Sequence, residues 1–157
     1  MAVDAFLKLD GIKGESTDSK HKDEIELDSY SFGATQTASA AGGAGAGKVQ
    51  FQDFHFSSRT SKASPTLMLH CASGQHIKEG LITLRKAGEN PVEFIHIKLQ
   101  DALISSYQLG GGGGNFPADQ FSLNFSRIEF EYRPQKADGT LDAPVTGGWD
   151  LKLNRAT

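Results

Sequence analysis

Three groups of residues in the sequence have types and spacings that could do chemistry. The first is the segment 42–49 (GGAGAGKV), which nearly matches the phosphate-binding pattern G-x-x-x-x-G-K-[ST]. Val49 stands where that pattern needs a hydroxyl to reach magnesium, and the residues after it alternate like a strand although the phosphate needs a helix N-terminus. The sequence therefore does not predict a nucleotide site.

The second group is a cluster with metal-ligand chemistry, formed by His70, Cys71 and His76. Adjacent residues of a helix point in different directions, and His76 lies beyond Gly74. No third and fourth ligand follows at a spacing typical of structural zinc sites. We therefore expect no metal and no other cofactor, and we interpret Cys71 as a small buried hydrophobic residue.

The third group is the set of serines, histidines and carboxylates that hydrolytic enzymes use. The nucleophile elbow G-x-S-x-G is missing from the sequence, and these residue types are scattered along it. The acidic segments 23–26 and 129–131 alternate with apolar residues, which indicates solvated strand faces. His55 and His96 fall in the middle of expected strands, where surface or interface positions are the natural interpretation. We expect no enzyme.

Length, charge and composition limit the classes of protein to which this chain can belong. The chain has 157 residues, a formal charge of −3, 18 glycines, one cysteine and only 38% hydrophobic residues. This length fits one domain, residues 1–157. A mildly acidic chain is not built for nucleic acid. We also expect no membrane insertion, no internal disulfide and no secretory signal, since the chain has neither a long apolar run nor a basic leader.

The dominant hydrophobic period is two, which is typical of half-buried strands. In the first run, Val3, Ala5, Leu7 and Leu9 alternate with polar residues. Turn-forming Gly, Asn, Asp and Pro clusters separate the runs. The pattern predicts a mainly β protein, an antiparallel barrel or sandwich, with strands in the runs 3–9, 23–37, 48–57, 79–87, 91–100, 102–109, 119–133 and 145–154.

One segment looks helical. Ser64 is a good N-cap, Pro65 suits the first helical position, and Gly74 stands where a left-handed C-terminal residue belongs. We predict a helix of two to three turns that packs on one end of the β structure. Its buried face is expected to carry Leu67, Met68 and Cys71.

In several strands the apolar residues change from odd to even positions partway along. The changes fall near Ser29, Asp53 and Ser126. One interpretation is a β-bulge at each point, which returns the later side chains to the core. The other is that the second half of each strand faces outward, against a neighbouring subunit. Both interpretations remain open at this stage, and they can coexist.

The motifs in combination resemble the Hcp family, which forms the tubes of bacterial type VI secretion systems. The resemblance runs nearly end to end, although the spacer between residues 110–114 and Phe121 is short for the family. It rests on the opening MAVDAFLKLDGIKGES, the strand DEIELDSYSFG, the loop ending GAGKV, the helix SPTLMLHCASGQH, the segments ITLRKAG and VEFIHIKLQDALISSY, and the closing YRPQKADG and GGWDLKLN.

The resemblance implies a fold and an assembly. The fold is a small β-barrel of two antiparallel sheets with one short α-helix packed alongside. The assembly is a homohexameric ring with a central channel, and rings stack into a tube. A contractile sheath propels the tube, which carries a VgrG-type spike, and small effector proteins travel in the lumen. The protein would reside in the cytoplasm and then be secreted without a signal peptide.

Two sets of functional residues follow from this resemblance and from the loops. In the family, the serine that matches Ser31 lines the channel and touches cargo, and Ser29 shares its face. The segment 38–47 is long and made of small residues, so we expect it to form an end contact between rings. The residues of this stacking loop are Ala38, Ala41, Gly43, Gly45, Gly47 and Lys48. The competing interpretation is a monomeric β-sandwich that binds a ligand or carbohydrate.

Overall fold

The computed structural model of the chain describes residues 2–38, 40 and 47–157. The described part contains eleven strands and one helix. Their bounds are β1 Val3–Leu9, β2 Ile25–Glu26, β3 Ser29–Ser31, β4 Ala34–Gln36, β5 Val49–Phe51, β6 Phe54–Arg59, α1 Ser64–Ser73, β7 His76–Lys86, β8 Val92–Gly110, β9 Ala118–Tyr132, β10 Val145–Asp150 and β11 Arg155–Ala156.

The strands form two antiparallel sheets. The larger has nine strands, with β11-β10-β9-β8-β7-β1-β2 in order, and β6 pairs with both β9 and β3. The smaller sheet is the hairpin β4–β5. The predicted mainly β architecture with two sheets and one helix is confirmed. The large sheet curls into a barrel that is not closed by strand pairing, since β2 and β3 at its two edges do not pair with each other. Between these edges, the Leu27 N–H donates to Ala5 O (2.9 Å) and the Asp28 N–H donates to Ser57 O (2.8 Å).

The core lies inside this curled sheet, where the alternation of the sequence places it. Leu7 of β1, Ile82 of β7 and Leu99 of β8 are completely buried, and so is Phe54 of β6. Phe54 stacks on Phe56 with ring centroids 4.7 Å apart. Burial of each such side chain stabilises the fold by about 1.5–3 kcal/mol. The helix is the only one in the described residues, and it is too short and polar to cross a membrane.

The changes of apolar face have different causes at the three predicted points. At Ser29 and Asp53 the bulge prediction is wrong: one strand ends and another begins, because β2 and β5 each pair with a different neighbour from that of the following strand. At Ser126 the register on β8 is the same before and after the change, so neither strand carries an extra residue. Instead Asp101, across from Ser126, has a positive φ of 49°. The register shifts fall at Leu84/Arg85 and Ile104/Ser106.

The apolar side chains that follow each change of face are partly buried and partly exposed, so each interpretation holds for some of them. Phe54 and Ile128 are buried, as the inward interpretation predicted. Tyr30, Phe130 and Tyr132 remain 42%, 38% and 43% exposed. These three aromatic side chains are therefore only partly covered by the rest of the chain.

The helix begins one residue earlier than predicted. Ala63 is the N-cap and makes no side-chain capping bond, whereas Ser64 is the first helical residue. The Ser64 hydroxyl accepts the Ser61 N–H (2.9 Å) and donates to the buried Asp119 carboxylate. Ser64 therefore fastens the helix to β9, and this tertiary bond replaces the capping role expected of a serine at this position.

The end of the helix follows the prediction, but its buried face is narrower. Gly74 has a φ of 68° and donates its N–H to His70 O (3.0 Å), as a left-handed C-terminal residue does. Leu67 is buried and Cys71 is half-buried against the core, whereas Met68 is 50% exposed. Because neighbouring helical residues differ by about 100° in direction, Leu67 and Met68 do not share one face.

The last predicted strand is shorter than residues 145–154. β10 ends at Asp150, whose Oδ1 accepts the Leu153 N–H (2.9 Å) and so closes a turn. Asn154 adopts a φ of 51°, and the chain then reverses into β11. Leu153 is exposed as a result.

Candidate functional site

A polar surface without lysine, arginine or carboxylate side chains covers four neighbouring strands, β3, β6, β9 and β8. We call it the serine–glutamine face. Its members are Ser29, Ser31, His55, Ser57, Ser106, Gln108, Gln120 and Ser122. It contains both predicted cargo residues, Ser29 and Ser31.

The strand register arranges these side chains in two rows. In the first row, Ser31 lies opposite His55, His55 opposite Ser122, and Ser122 opposite Ser106. Residues that lie directly opposite in antiparallel strands point to the same side of the sheet. The hydroxyls of Ser106 and Ser122 are 2.5 Å apart, so the strands are also linked by a side-chain hydrogen bond.

The second row runs parallel to the first. Ser29 lies opposite Ser57, Ser57 opposite Gln120, and Gln120 opposite Gln108. The hydroxyls of Ser29 and Ser57 are 2.6 Å apart. Apart from the buried Ser122, the members of the two rows line an open concavity of about 880 Å³. Sequence reasoning found Ser29 and Ser31 but missed the other members, because only the pairing of distant strands brings them together.

The chemistry of this face is weak and unselective. Hydroxyl and amide groups donate and accept hydrogen bonds, each contributing a net 0.5–1.5 kcal/mol or so in protein contacts. Such a surface can contact a polar partner without holding it tightly. The nearest carboxylate on the same side of β6 is Asp53, whose Oδ1 accepts a hydrogen bond from Asn124 Nδ2 (3.0 Å).

A contrasting set of ion pairs lies on the other half of the long strands. We call it the Arg85 cluster; it comprises Asp4, Phe6, Asp18, His21, Glu24, Arg85, Glu93, His96 and Glu131. The Arg85 guanidinium donates from Nη2 to Asp18 (2.7 Å) and to Asp4 (3.0 Å). These bonds raise the pKa of Arg85, and the bond from Arg85 holds the pKa of Asp18 well below its usual range.

His21 links the same cluster to β8. Its Nδ1 lies 3.0 Å from Glu24, its Nε2 lies 3.0 Å from Glu93, and its ring stacks on Phe6 with centroids 4.3 Å apart. Although burial raises the pKa of Glu93, hydrogen bonds from His96 and His21 leave it below the usual value. The cluster thus fixes the segment 13–24 over the sheet. No local pattern in the sequence indicates this cluster, since Asp18 and Arg85 are 67 positions apart in the chain.

The residues weighed for catalysis and metal binding do not form a reactive site in the described part of the chain. His76 Nδ1 donates to Asp101 (2.8 Å), and Ser126 Oγ also donates to Asp101 (3.2 Å). Because the Ser126 hydroxyl donates to the aspartate and not to the histidine, these three side chains do not form the serine–histidine–aspartate arrangement of a nucleophile and its base. His70 bonds Thr66 O instead. No group of three His, Cys, Asp or Glu side chains among the described residues could hold a metal ion.

The predicted stacking loop begins and ends on the hairpin β4–β5. Of its residues, Ala38, Gly47 and Lys48 are described, whereas Ala41, Gly43 and Gly45 lie outside the described residues. Thr37 Oγ1 accepts the Lys48 N–H (3.0 Å) and joins the two ends. A Cβ at Gly47 would overlap Ala38, which explains a glycine at this point.

An apolar surface lies at the open end of the barrel, beside the hairpin β9–β10. We call it the aromatic patch, and its members are Phe32, Phe130, Tyr132 and Val145. Val145 lies opposite Tyr132, and Gly147 lies opposite Phe130, so no side chain covers that ring from β10. Val145 is 66% exposed. Exposed apolar residues that adjoin one another in this way are typical of protein interfaces.

Comparison with known proteins gives one consistent result. The family described as type VI secretion system effector, Hcp, matches residues 6–132. Protein hcp1 of Pseudomonas aeruginosa is 46% identical over 159 residues, which cover 98% of each chain. The crystal structure of Hcp1 from Salmonella typhimurium is 34% identical, with all of both chains covered and a TM-score of 0.84. A solved type six secretion system protein is 27% identical, covers 99% of this chain and all of its own, and has a TM-score of 0.91.

Proposed function

The chain belongs to the Hcp family of type VI secretion proteins, and from this membership we propose that it is a tube subunit. Six copies close into a ring, and rings stack end to end into a secreted tube. The ring carries small effector proteins in its lumen, and the tube works with a VgrG-type spike and a contractile sheath. The role is structural and requires no catalysis.

The aromatic patch is the observation that carries the ring proposal. Phe130 and Tyr132 continue the buried surface of β9, yet they remain 38% and 43% exposed in one subunit. A patch that meets a different surface on the next copy makes a heterologous contact, and such contacts close into a ring when the rotation allows it. The next subunit would then bury the Phe130 and Tyr132 side chains, which a single chain leaves partly exposed.

A mass measurement tests the ring. We expect light scattering after size exclusion to give six times the subunit mass, whereas a monomeric ligand-binding sandwich would give one. The double variant Tyr132→Ser, Val145→Ser should shift the mass toward one subunit while keeping the β spectrum. Leu69→Ser is the matched control, since Leu69 is 59% exposed on the helix, away from the patch. A hexamer that survives the double variant would contradict this interface.

The stacking role is assigned to the hairpin β4–β5 and to the loop residues Ala38, Ala41, Gly43, Gly45, Gly47 and Lys48. All three residues of β4 are exposed, and among the described residues the hairpin pairs with no strand of the large sheet. Phe51 of β5 packs against the core and holds the hairpin on the barrel, so β4 is the strand left to contact a neighbouring ring.

Deletion of residues 40–46 tests this assignment. We expect the subunit to fold and the ring to form, because the deletion leaves the hairpin ladder in place. In electron micrographs we expect tubes of the full chain at high concentration and none of the deleted chain. Long tubes of the deleted chain would rule out the loop as the end contact.

The serine–glutamine face is assigned to the lumen, with Ser31 and Ser29 as contacts to cargo. Its neutral hydroxyl and amide groups suit a surface that must hold a passenger and later release it. The substitution Ser31→Gln should reduce the amount of a co-produced effector that purifies with the ring, because the longer side chain fills the row beside His55. Ring mass should not change. Ser73→Gln, at the exposed end of the helix, serves as control, and unchanged effector levels in Ser31→Gln would refute the assignment.

A further inference from the structure

His55 is the one member of the serine–glutamine face whose side-chain type changes charge between pH 5 and 8. It is the second residue of β6 and is exposed. Ser31 stands opposite on one side and Ser122 on the other. A proton gained by His55 therefore appears at the centre of a surface that otherwise carries only hydroxyl and amide groups.

Two charged groups lie on the same side of the sheet as His55. Asp53 is two residues earlier in the chain, just before β6, and accepts a hydrogen bond from Asn124. Arg59 is four residues later on β6, and its guanidinium lies over the Phe116 ring, 4.1 Å from the centroid. The side chains that lie directly opposite His55, Ser31 from β3 and Ser122 from β9, are neutral.

We propose that His55 makes the serine–glutamine face select its passengers by charge, with acidic protein surfaces favoured once the imidazole carries a proton. This inference rests on the proposed function, which assigns the face to the lumen. The proton adds one positive charge per subunit to the fixed charges of Asp53 and Arg59. A ring of six copies would gain six charges in one channel, so retention of an acidic passenger rises and retention of a basic passenger falls.

The size of the effect follows from the exposure of the site. An exposed ion pair changes affinity by up to about fivefold. Screening acts over about 10 Å at 0.1 M salt, so the effect should be largest in dilute buffer and fade at high salt. Contacts with several of the six histidines would multiply it.

The experiment uses the full chain and two probes, fluorescein-labelled decaglutamate and decalysine peptides. Fluorescence anisotropy is measured at pH 7.5 and 5.5 in about 20 mM salt, where screening is weak. We expect decaglutamate to bind at least twofold more tightly at pH 5.5, and we expect His55→Gln to abolish that gain. His76→Gln, an exposed histidine off the face, should retain it. His55→Lys, which is charged at both pH values, should bind decaglutamate at both.

Two results would overturn the inference. One is an equal gain on acidification in the full chain and in His55→Gln, and the other is a His55→Lys variant that does not bind decaglutamate at pH 7.5. The mass of the assembly in solution is measured on the same samples. Loss of the hexamer in the unmodified chain would count against the proposed function, whereas intact hexamers with no effect of His55 would count against this inference alone.

Discussion

The outer surfaces of the two halves of the β8–β9 hairpin differ in the way their polar residues are used. In one half, Lys98 lies opposite Glu129 and His96 opposite Glu131. In the other half, Ser106 lies opposite Ser122 and Gln108 opposite Gln120. Charged pairs occupy the half near the segment 13–24, and neutral pairs occupy the half that faces the open concavity.

Burial separates the polar residues that stabilise the fold from those that can contact a partner. Arg85 is 7% exposed, so its charge must be paired within the chain, and Asp4 and Asp18 pair it. Ser57 and Gln108 keep contact with solvent, where water can replace any partner they lose. Polar residues of the first kind stabilise the subunit, and those of the second kind leave its surface available.

The largest expected effect comes from Arg85→Met. The variant leaves Asp4 and Asp18 without their cation, and the loss of charge-assisted hydrogen bonds should lower the free energy of unfolding by about 2–3 kcal/mol. Urea denaturation measures this. Arg133→Met is the control, because Arg133 is partly exposed and pairs with Glu131, so a small loss is expected. Equal losses in the two variants would contradict the argument that burial makes the pairing of Arg85 necessary.

A smaller effect, which weakens in acid, is expected from Asp18. Its pKa is held below the usual value in the folded state, so its pairing stabilises the protein fully above about pH 4. That contribution is lost as the pH falls from about 4 toward the folded pKa. Urea denaturation of the full chain and of Asp18→Asn should therefore give free energies of unfolding that differ most at pH 6 and less at about pH 2.5. A constant difference across this range would contradict the assignment.

The smallest effect is expected on the serine–glutamine face. Ser57→Ala and Gln108→Ala should each change the free energy of unfolding by less than about 0.5 kcal/mol, as exposed substitutions usually do. Ser122→Ala sharpens the test, because Ser122 is buried and bonds both Ser105 and Ser106; about 1 kcal/mol is expected. Thermal unfolding compares the three variants, and a large loss in Ser57→Ala would make that residue structural.

Local signals in the sequence predicted much of the fold. The alternation in residues 3–9 predicted β1, and Gly74 predicted the end of the helix, because each signal depends on neighbours in the chain. Residues 91–100 and 102–109 were expected as two runs but form the single strand β8. Asp101 explains this, since its positive φ of 49° changes the exposed face without ending the strand.

The candidate site was predictable only in part. Ser29 and Ser31 came from the family resemblance, whereas Ser57, Gln108 and Gln120 join them only through the pairing of β6, β9 and β8. Those strands are distant in the sequence, and one residue of register shift would turn each side chain to the other side. The register is a property of the packed sheet.

The strand periodicity, the helix near residues 64–74 and the family could be predicted from the sequence, since these depend on residue type and local spacing. Which polar residues are paired and which are free depends on the tertiary structure. Arg85 binds Asp18, which lies 67 positions away in the chain, and Ser31 lies opposite His55 because β3 pairs with β6. Burial and register arise from contacts between distant segments, so no local pattern can specify them.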